Sequence, residues 1–382
     1  MKKYTILFVM GLLLYAKVID AQDTGTSNSP APGSQSFLLT GSGSVLYTAS
    51  KDASSFSPET LLLMSLAKIN DRLFLEGGVK MEMQDNGDFA FGLEVLNLHY
   101  RINPWLTFHI GKFPAPWGNV LDMFGEGFVG RFPVSPIGFA DDGMGPTDQV
   151  GFGFQGGIQT GDAKMLYDVY VANGPQLIVD EGPKEGNMTG HMDYGSLSDN
   201  NKNKAIGGKI GILPFSNSCL QVDVFGQYAG KTGDRGSDYE NVGSSSYGAD
   251  FNFYKMFSSL LVRFMGQYEA TSTQNVNYKM FNGTDTANYT FDNSGNVWYL
   301  AGTLRPSGLQ NKYIRNIEIG ARYVDYSPPE EALWGGLPQR QLTFDLTYWF
   351  TWSSQINFGY DIISRSGAET SRQFVVRALY KF

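Results

Sequence analysis

Residues 374–382, Phe374-Val-Val-Arg-Ala-Leu-Tyr-Lys-Phe382, decide the fold. In an extended strand, successive side chains point to opposite faces. One face would therefore be wholly apolar, with Phe374, Val376, Ala378, Tyr380 and Phe382. The other would carry two cations, with Val375, Arg377, Leu379 and Lys381. The stretch predicts a β-strand that lies between an apolar environment and a polar one.

The same alternation recurs upstream. It is nearly unbroken over residues 341–350 and 355–362, and it returns over 317–323, 260–269 and 222–228. A soluble antiparallel sheet also alternates, so a single strand of this kind proves little. Repetition along the whole chain favours an all-β fold, a transmembrane antiparallel up-and-down β-barrel of about 16 strands. Such a sheet must close, because unpaired backbone groups cannot face hydrocarbon.

Composition agrees with alternating strands and polar loops. The 382 residues are 14% aromatic and include 46 Gly, and no apolar stretch after the N-terminal segment approaches the length of a transmembrane helix. The formal net charge is −8. Removing residues 1–21, with three Lys and one Asp, lowers that net charge by two, to −10. This balance disfavours a nucleic-acid partner, since binding to phosphates requires basic surface.

The N-terminal segments are predicted to lie outside the barrel. Lys2 and Lys3 precede an apolar run from Thr5 to Tyr15, and Ala21 follows at the spacing of a cleavage site, so residues 1–21 read as a signal peptide. Residues 22–35 are rich in Ser, Pro and Gly and predict a flexible periplasmic leader. Residues 36–382 would form the barrel. Cys219 is the only cysteine, which excludes an intramolecular disulfide.

Connections between the predicted strands alternate in length. Tight connections are expected at 70–71, 103–104, 161–163, 214–218, 255–257 and 351–353. Long connections are expected at 49–59, 113–147, 173–203, 230–245, 270–295 and 326–338. Short turns on one side and long loops on the other are typical of outer-membrane barrels.

Two segments carry a resemblance to known proteins. The strand 374–382, ending on Phe382, resembles the C-terminal signal that the outer-membrane barrel assembly machinery reads. The segment Gly111-Lys-Phe-Pro-Ala-Pro-Trp-Gly118, followed by Asp148-Gln-Val-Gly151 and by residues 167–175, resembles the phosphate-selective porin O and P family and related bacterial porins. Residues 317–323 and Tyr348-Trp-Phe350 are similar to the C-terminal part of that family.

The resemblance implies a function, a location and partners. It implies a 16-stranded outer-membrane porin, a passive diffusion channel for small hydrophilic solutes or ions. The implied partners are outer-membrane lipid, the barrel assembly machinery and two further copies in a homotrimer. It also implies that residues 113–147 fold into the pore as a constriction. No cofactor is expected.

The predicted constriction is acidic. Its ionisable residues are Asp122, Glu126, Arg131, Asp141 and Asp142. Carboxylates in a narrow pore favour cations, although Asp141-Asp142-Gly143 would equally suit a solvated turn. Predicted lumen wall charges are balanced, with Arg263, Glu318, Arg322, Asp345 and Arg377 among them. Because a dominant basic track is missing, phosphate specificity is not expected. Glu318 and Arg322 could instead pair with each other across the wall.

Alternative functions are weighed against the porin. Gly151-Phe-Gly-Phe-Gln-Gly156 matches a dinucleotide motif, but it lies within an alternating strand with no helix after it. His99, His109 and His191 lack metal-ligand spacing, so no metal is expected. A barrel enzyme would need a nucleophile beside His99 or His109, and no such motif is found. An adhesion or secretion-assembly barrel with a plugged lumen remains a further alternative.

The face assignment has a testable consequence. On the predicted lipid face, Leu346→Arg is expected to destabilise the barrel by about 2–4 kcal/mol. On the predicted lumen face, Thr347→Arg is expected to shift ion selectivity instead.

Overall fold

The structure is a computed structural model. It describes residues 36–84, 87–121, 131–139, 143–180, 188–195, 197–281, 286–334 and 337–382. The predicted signal peptide, residues 1–21, and leader, residues 22–35, lie outside the described residues. Within the described part of the chain, no helix is both long and apolar enough to cross a bilayer.

Sixteen of the described strands form one closed antiparallel barrel. They are β1 (Ser36–Ser50), β2 (Ser54–Lys68), β3 (Leu73–Met83), β4 (Phe89–Asn103), β5 (Leu106–Pro114), β6 (Asp148–Thr160), β7 (Ala163–Ala172), β10 (Ala205–Leu213), β11 (Leu220–Ala229), β12 (Ser244–Phe257), β13 (Leu260–Thr273), β16 (Ser294–Arg305), β17 (Ile317–Ser327), β18 (Gln339–Trp349), β19 (Ser354–Arg365) and β20 (Ser371–Lys381). Two small hairpins lie in the connections: β8 (Gln176–Leu177) with β9 (Met192–Asp193), and β14 (Tyr278–Phe281) with β15 (Thr286–Tyr289). A 3-10 turn spans Ile314–Asn316. The predicted fold, a closed barrel of about 16 strands, is confirmed.

The last strand closes the barrel against the first. β20 pairs with β1 from Ser42 opposite Lys381 to Ser50 opposite Gln373. The backbone N–H and carbonyl groups of Phe382 and Gly41 exchange two hydrogen bonds of 3.1 Å. The terminal stretch thereby closes the barrel, so its sixteen described strands each have a neighbour on both sides and none is left as an edge of the barrel sheet.

The two faces of the wall differ as the alternation predicts. On β18, Phe344 and Leu346 are exposed, whereas Thr343, Asp345 and Thr347 are buried. On β20, Phe374 and Tyr380 are exposed while Arg377 is buried. In a closed barrel the exposed apolar face must be the outer one, so the polar residues point inward.

Most of the expected connections are found, with two corrections. The long connection expected at 49–59 is wrong: Ser50 N donates to Ala53 O at 2.8 Å, so only residues 51–53 separate β1 from β2. The tight turn expected at 255–257 lies further on, because β12 continues to Phe257 and Ser258 adopts a positive φ of 53°. In addition, residues 306–316 form a longer connection at the short-turn edge than the sequence indicated.

Candidate functional site: the inner wall and the 115–147 connection

The connection between β5 and β6, residues 115–147, begins on the inner wall. Gly111 has a φ of 147°, and a Cβ atom there would overlap the carbonyl oxygen of Leu96. Only glycine accommodates both features. Next to it, Phe113 is buried and packs edge-on against His109 and Tyr170. The Ala115 N–H donates to Thr147 O at 2.6 Å, which closes the base of the connection.

The first part of the connection contacts β11, β12 and β13. Trp117 packs on Phe225, with ring centroids 4.7 Å apart. The Asn119 amide donates to the carbonyls of Phe251 and Gly266 at 3.1 and 3.2 Å. The Val120 N–H donates to Gln267 Oε1 at 2.9 Å. Phe225 and Gln267 are buried residues of the polar face, so this part of the connection lies against the inside of the wall.

The second part contacts β17, β18 and β19. Arg322 donates to Val134 O at 2.8 Å, and the Ile137 N–H donates to Gln341 Oε1 at 3.0 Å. Asn357 donates to the Arg131 carbonyl at 2.9 Å. These bonds satisfy buried polar groups of the connection, whose described residues lie outside the strands of the sheet. Val120 and Phe139 then join an apolar cluster with Val297, Tyr299 and Val324 of the inner face.

Arg131 links the connection to the wall through both an ion pair and a cation–π contact. Its Nε lies 3.3 Å from Glu318 Oε1, and its guanidinium lies 4.8 Å from the centre of the Trp349 ring. Trp349 Nε1 donates to the other carboxylate oxygen of Glu318 at 3.0 Å. The Arg131 side chain therefore fixes the connection to the edge of the barrel where β17 begins and β18 ends.

One of the five predicted constriction residues lies in the described part of the chain. Asp122, Glu126, Asp141 and Asp142 lie outside the described residues, and Arg131 is the one that is described. The predicted wall charges are all described and lie on the inward face. They are 4–8% exposed: Arg263, Glu318, Arg322, Asp345 and Arg377. Glu318 pairs with Arg131 rather than with Arg322, whose guanidinium packs on the Phe132 ring at 4.9 Å.

The inner wall formed by β3 and β4 has more exposed side chains than the wall that contacts the 115–147 connection. Its charged residues were not identified from the sequence. On β3, the side chains of Glu76, Lys80 and Glu82 are 34, 28 and 43% exposed, and Lys80 pairs with Glu82 at 2.7 Å. Glu94 is the extra residue of a β-bulge between β3 and β4, and its Cβ faces Gly78 on the inward side. Phe89, Phe91 and Leu93 are exposed before the bulge and Leu96 after it, so the bulge shifts the alternation by one residue and a strict period of two cannot assign both halves of β4.

Two histidines lie side by side on this open part of the wall. His99 and His109 are direct cross-strand partners, with ring centroids 6.1 Å apart. His99 Nε2 lies 3.0 Å from Glu76 Oε2, and His109 Nε2 lies 3.6 Å from Asp168 Oδ1. No group of three or more potential metal ligands occurs in the described residues. The expectation that these histidines form no metal cluster is not contradicted, and each has a carboxylate neighbour instead.

At the edge of the barrel that carries the long connections, residues from three of these connections pack together. Leu177, Met192, Tyr194, Val242, Tyr278 and Phe291 form a buried apolar cluster. Burial raises the pKa of the Tyr278 hydroxyl to about 12. Outside this cluster, Lys279 donates to Asp238 at 2.6 Å, and this hydrogen bond lowers the pKa of Asp238. Tyr194 enters the barrel mouth, where its hydroxyl accepts a hydrogen bond from Ser246 at 3.0 Å.

Comparison with known proteins identifies the fold. No family model and no curated protein matches the chain. OmpF of Salmonella typhi, in complex with daunomycin, superimposes with a TM-score of 0.60 at 13% identity, over 91% of this chain and 97% of its own. The outer membrane channel DcaP of Acinetobacter baumannii gives 0.58 at 10% identity, over 94% and 100%. An anion-selective porin from Comamonas acidovorans gives 0.56 at 12% identity, over 91% and 100%.

These similarities establish a porin-like barrel. The chain has the fold of bacterial outer-membrane proteins, which agrees with its predicted location. The more specific resemblance to the phosphate-selective porin O and P family is not confirmed, since no family model matches.

Proposed function

We propose that this protein is an outer-membrane porin, a passive diffusion channel for small hydrophilic solutes or ions that residues 115–147 constrict. The observation that carries the proposal is the division of the inner wall. Inward side chains of β13 and β16 to β19 are buried where the 115–147 connection contacts them, whereas the inward charged side chains of β3, Glu76, Lys80 and Glu82, and Arg101 of β4 stay partly or fully exposed. Such a wall supports an aqueous passage along β3 and β4.

The open part of the wall supports a weak preference for cations. Its inward charges on β3 and β4 are Glu76, Glu82 and Glu94 against Lys80 and Arg101. Carboxylates beside a narrow passage lower the free energy of a permeating cation. In this proposal Asp122, Glu126, Asp141 and Asp142 would add to that preference, while Arg131 would hold the connection in place.

The remaining parts of the proposal concern assembly and chemistry. The barrel would be inserted into outer-membrane lipid by the assembly machinery through Phe374–Phe382, and it would act as a homotrimer. OmpT of Vibrio cholerae, a structurally similar outer membrane protein, is described in a trimer form. No enzymatic activity is proposed, and the pairs His99–Glu76 and His109–Asp168 are assigned to the wall.

Liposome swelling tests the proposed function. Vesicles that contain the purified barrel should swell in isotonic solutions of neutral sugars, and the rate should fall steeply as the sugar grows from a pentose to a disaccharide. Vesicles without protein provide the baseline. If swelling stays at that baseline although the protein has inserted and folded, the lumen is plugged and the adhesion or assembly alternative replaces the porin.

A further inference from the structure

β2 departs from the alternation that β17 to β20 follow. Its residues 61–67, Leu-Leu-Leu-Met-Ser-Leu-Ala, are apolar on both faces except at Ser65. Leu66 is the direct cross-strand partner of Glu76, one of the inward charges of β3. Because cross-strand partners share a face, Leu66 also points into the barrel, and so does Met64 two residues before it.

Leu66 is 40% exposed although it is a large apolar residue on the inward face. Phe74, two residues before Glu76 on β3, is a diagonal neighbour of Leu66 on that face, and both Phe74 and Met64 are half-buried. We call Met64, Leu66, Phe74 and Glu76 the Leu66 patch. Neighbouring apolar groups that stay in contact with water are typical of surfaces that a ligand covers.

Glu76 supplies a negative charge within the patch. Its Oε2 lies 3.0 Å from His99 Nε2, and its side chain remains 34% exposed. On the other side of the imidazole, Gln155 Nε2 lies 3.4 Å from His99 Nδ1. Since the Gln155 amide donates to Nδ1, a neutral His99 with its proton on Nε2 satisfies both contacts. The Glu76 carboxylate is then hydrogen-bonded but keeps its net charge.

Lys68 and Arg101 lie at the short-turn end of the patch. The Lys68 ammonium is 2.7 Å from the Asp71 carboxylate, and the two charges of this pair cancel. Arg101 donates to the Asp71 carbonyl at 2.7 Å and is exposed, so water and salt screen its charge. A solute at the patch therefore meets a carboxylate beside apolar side chains.

We propose that the Leu66 patch is a binding site for amphipathic organic monocations, solutes with one ammonium group and one apolar group. The ammonium would donate charge-assisted hydrogen bonds to Glu76. The apolar group would cover Leu66 and Phe74 and remove their surface from water. Charge complementarity selects a cation, because an amphipathic anion would place its charge against Glu76. The inference rests on the proposed porin function, since it names the class of solute that the passage would retain.

Binding of benzylammonium tests the site without depending on channel activity. Saturation-transfer NMR titrations would use the purified protein in phosphatidylcholine nanodiscs at physiological salt, with empty nanodiscs subtracted. Benzylammonium should bind saturably. Methylammonium, which lacks the ring, and benzyl alcohol, which lacks the charge, should each bind about tenfold more weakly or less, because each contacts one part of the patch.

Two substitutions separate the charged and apolar parts of the site. Glu76→Gln removes the negative charge while an amide oxygen can still accept from His99, and it should weaken benzylammonium binding about tenfold or more. Leu66→Thr removes apolar surface with a residue that strands favour, and it should weaken binding about fivefold. Heat-dependent mobility on gels verifies folding, and Met64→Thr replaces Leu66→Thr if the latter does not fold.

Matched controls lie on the same strand, β3. Glu82 is on the same face as Glu76, 43% exposed, and about 20 Å further along the strand, which exceeds the screening length of about 8 Å. Leu75 is 37% exposed on the outer face. Glu82→Gln and Leu75→Thr should each change benzylammonium binding by less than about twofold.

Three results would overturn the site. They are wild-type protein without saturable binding above empty nanodiscs, equal weakening by Glu76→Gln and Glu82→Gln, and full binding by a folded Leu66→Thr or Met64→Thr variant. Failure of this inference is distinguishable from failure of the porin proposal. Protein that swells liposomes but does not bind benzylammonium contradicts only the site. Protein that binds benzylammonium but transports nothing contradicts only the porin.

Discussion

At the scale of single residues, Arg131 is the side chain whose loss should affect the wall most. Glu318 is buried, and Arg131 is its ion-pair partner. Removing one member of a buried pair leaves the other charge desolvated, which costs more than the pair itself contributes. Arg131→Ala should therefore lower the free energy of unfolding by about 2 kcal/mol or more, measured by reversible urea unfolding in lipid vesicles.

An exposed ion pair provides the control for Arg131. Arg340 lies 3.1 Å from Asp325 and is 71% exposed, so Arg340→Ala should cost less than about 1 kcal/mol. Equal costs for the two variants would mean that the Arg131 contact does not hold the connection to the wall.

Position 111 is the second at which the structure requires a particular residue, in this case glycine. Its positive φ and the nearby Leu96 carbonyl leave no room for a Cβ atom. Gly111→Ala should destabilise the barrel by about 2–4 kcal/mol, through backbone strain and displacement of the neighbouring strand. Gly302 is the control, since a Cβ there would be 3.8 Å from its nearest neighbour, and Gly302→Ala should change stability by less than about 1 kcal/mol. A mild effect at Gly111 would show that the β4–β5 spacing is adjustable.

At the scale of elements, the two faces of a strand should respond differently to charge. Leu346 is exposed on the outer face of β18, so Leu346→Arg should cost about 2–4 kcal/mol in lipid vesicles. Thr48 is half-buried on the inward face of β1, and Thr48→Arg should cost less than about 1 kcal/mol. The same urea titration compares them, and a larger loss at Thr48 would reverse the face assignment.

Thr347 does not serve as the inward control that the sequence suggested. It is fully buried, it donates to Asp345 Oδ2 at 2.6 Å, and it is hydrogen-bonded to Asn357, whose amide also holds the Arg131 carbonyl. Arginine at this position would have to displace that network. We therefore expect Thr347→Arg to destabilise the protein rather than to shift selectivity alone.

Elements were predictable where alternation is strong and side chains are distinctive. β17 to β20 follow a period of two over their central residues, and the closed barrel followed from them. The predicted length of the β1–β2 connection was wrong, because the three-residue turn at 51–53 lies among small polar residues that suit either a loop or a strand. The bulge at Glu94 was missed because an inserted residue breaks the period.

At the scale of the whole molecule, the site was less predictable than the fold. Alternation placed Arg263, Glu318, Arg322, Asp345 and Arg377 on the inward face, but it could not show that they are buried. Two of them, Arg322 and Glu318, contact Val134 and Arg131 of the 115–147 connection, which are more than 100 residues away in the chain. Long-range contacts of an irregular segment have no periodic signal in the sequence.

The same contacts suggest how charge is arranged along the passage. The described inward charges of β3 and β4 are three Glu against Lys80 and Arg101, whereas Arg131, Arg305 and Lys381 surround Trp349 at the short-turn edge. Local charges of opposite sign at two levels of a pore act on permeating ions separately, since each is screened within about 8–10 Å at physiological salt. A permeating cation would meet the carboxylates first when it enters from the loop side.

Single-channel recording in planar bilayers tests the central claim most directly, that this barrel is an open channel with a weakly cation-preferring passage along β3 and β4. Wild-type protein should show stepwise openings, and a potassium chloride gradient should give a reversal potential of the sign for cations. Replacing Glu76, Glu82 and Glu94 together by Gln should move that potential toward zero or to the opposite sign. Folded, inserted protein that shows no openings, or a reversal potential that the triple substitution leaves unchanged, would contradict the account.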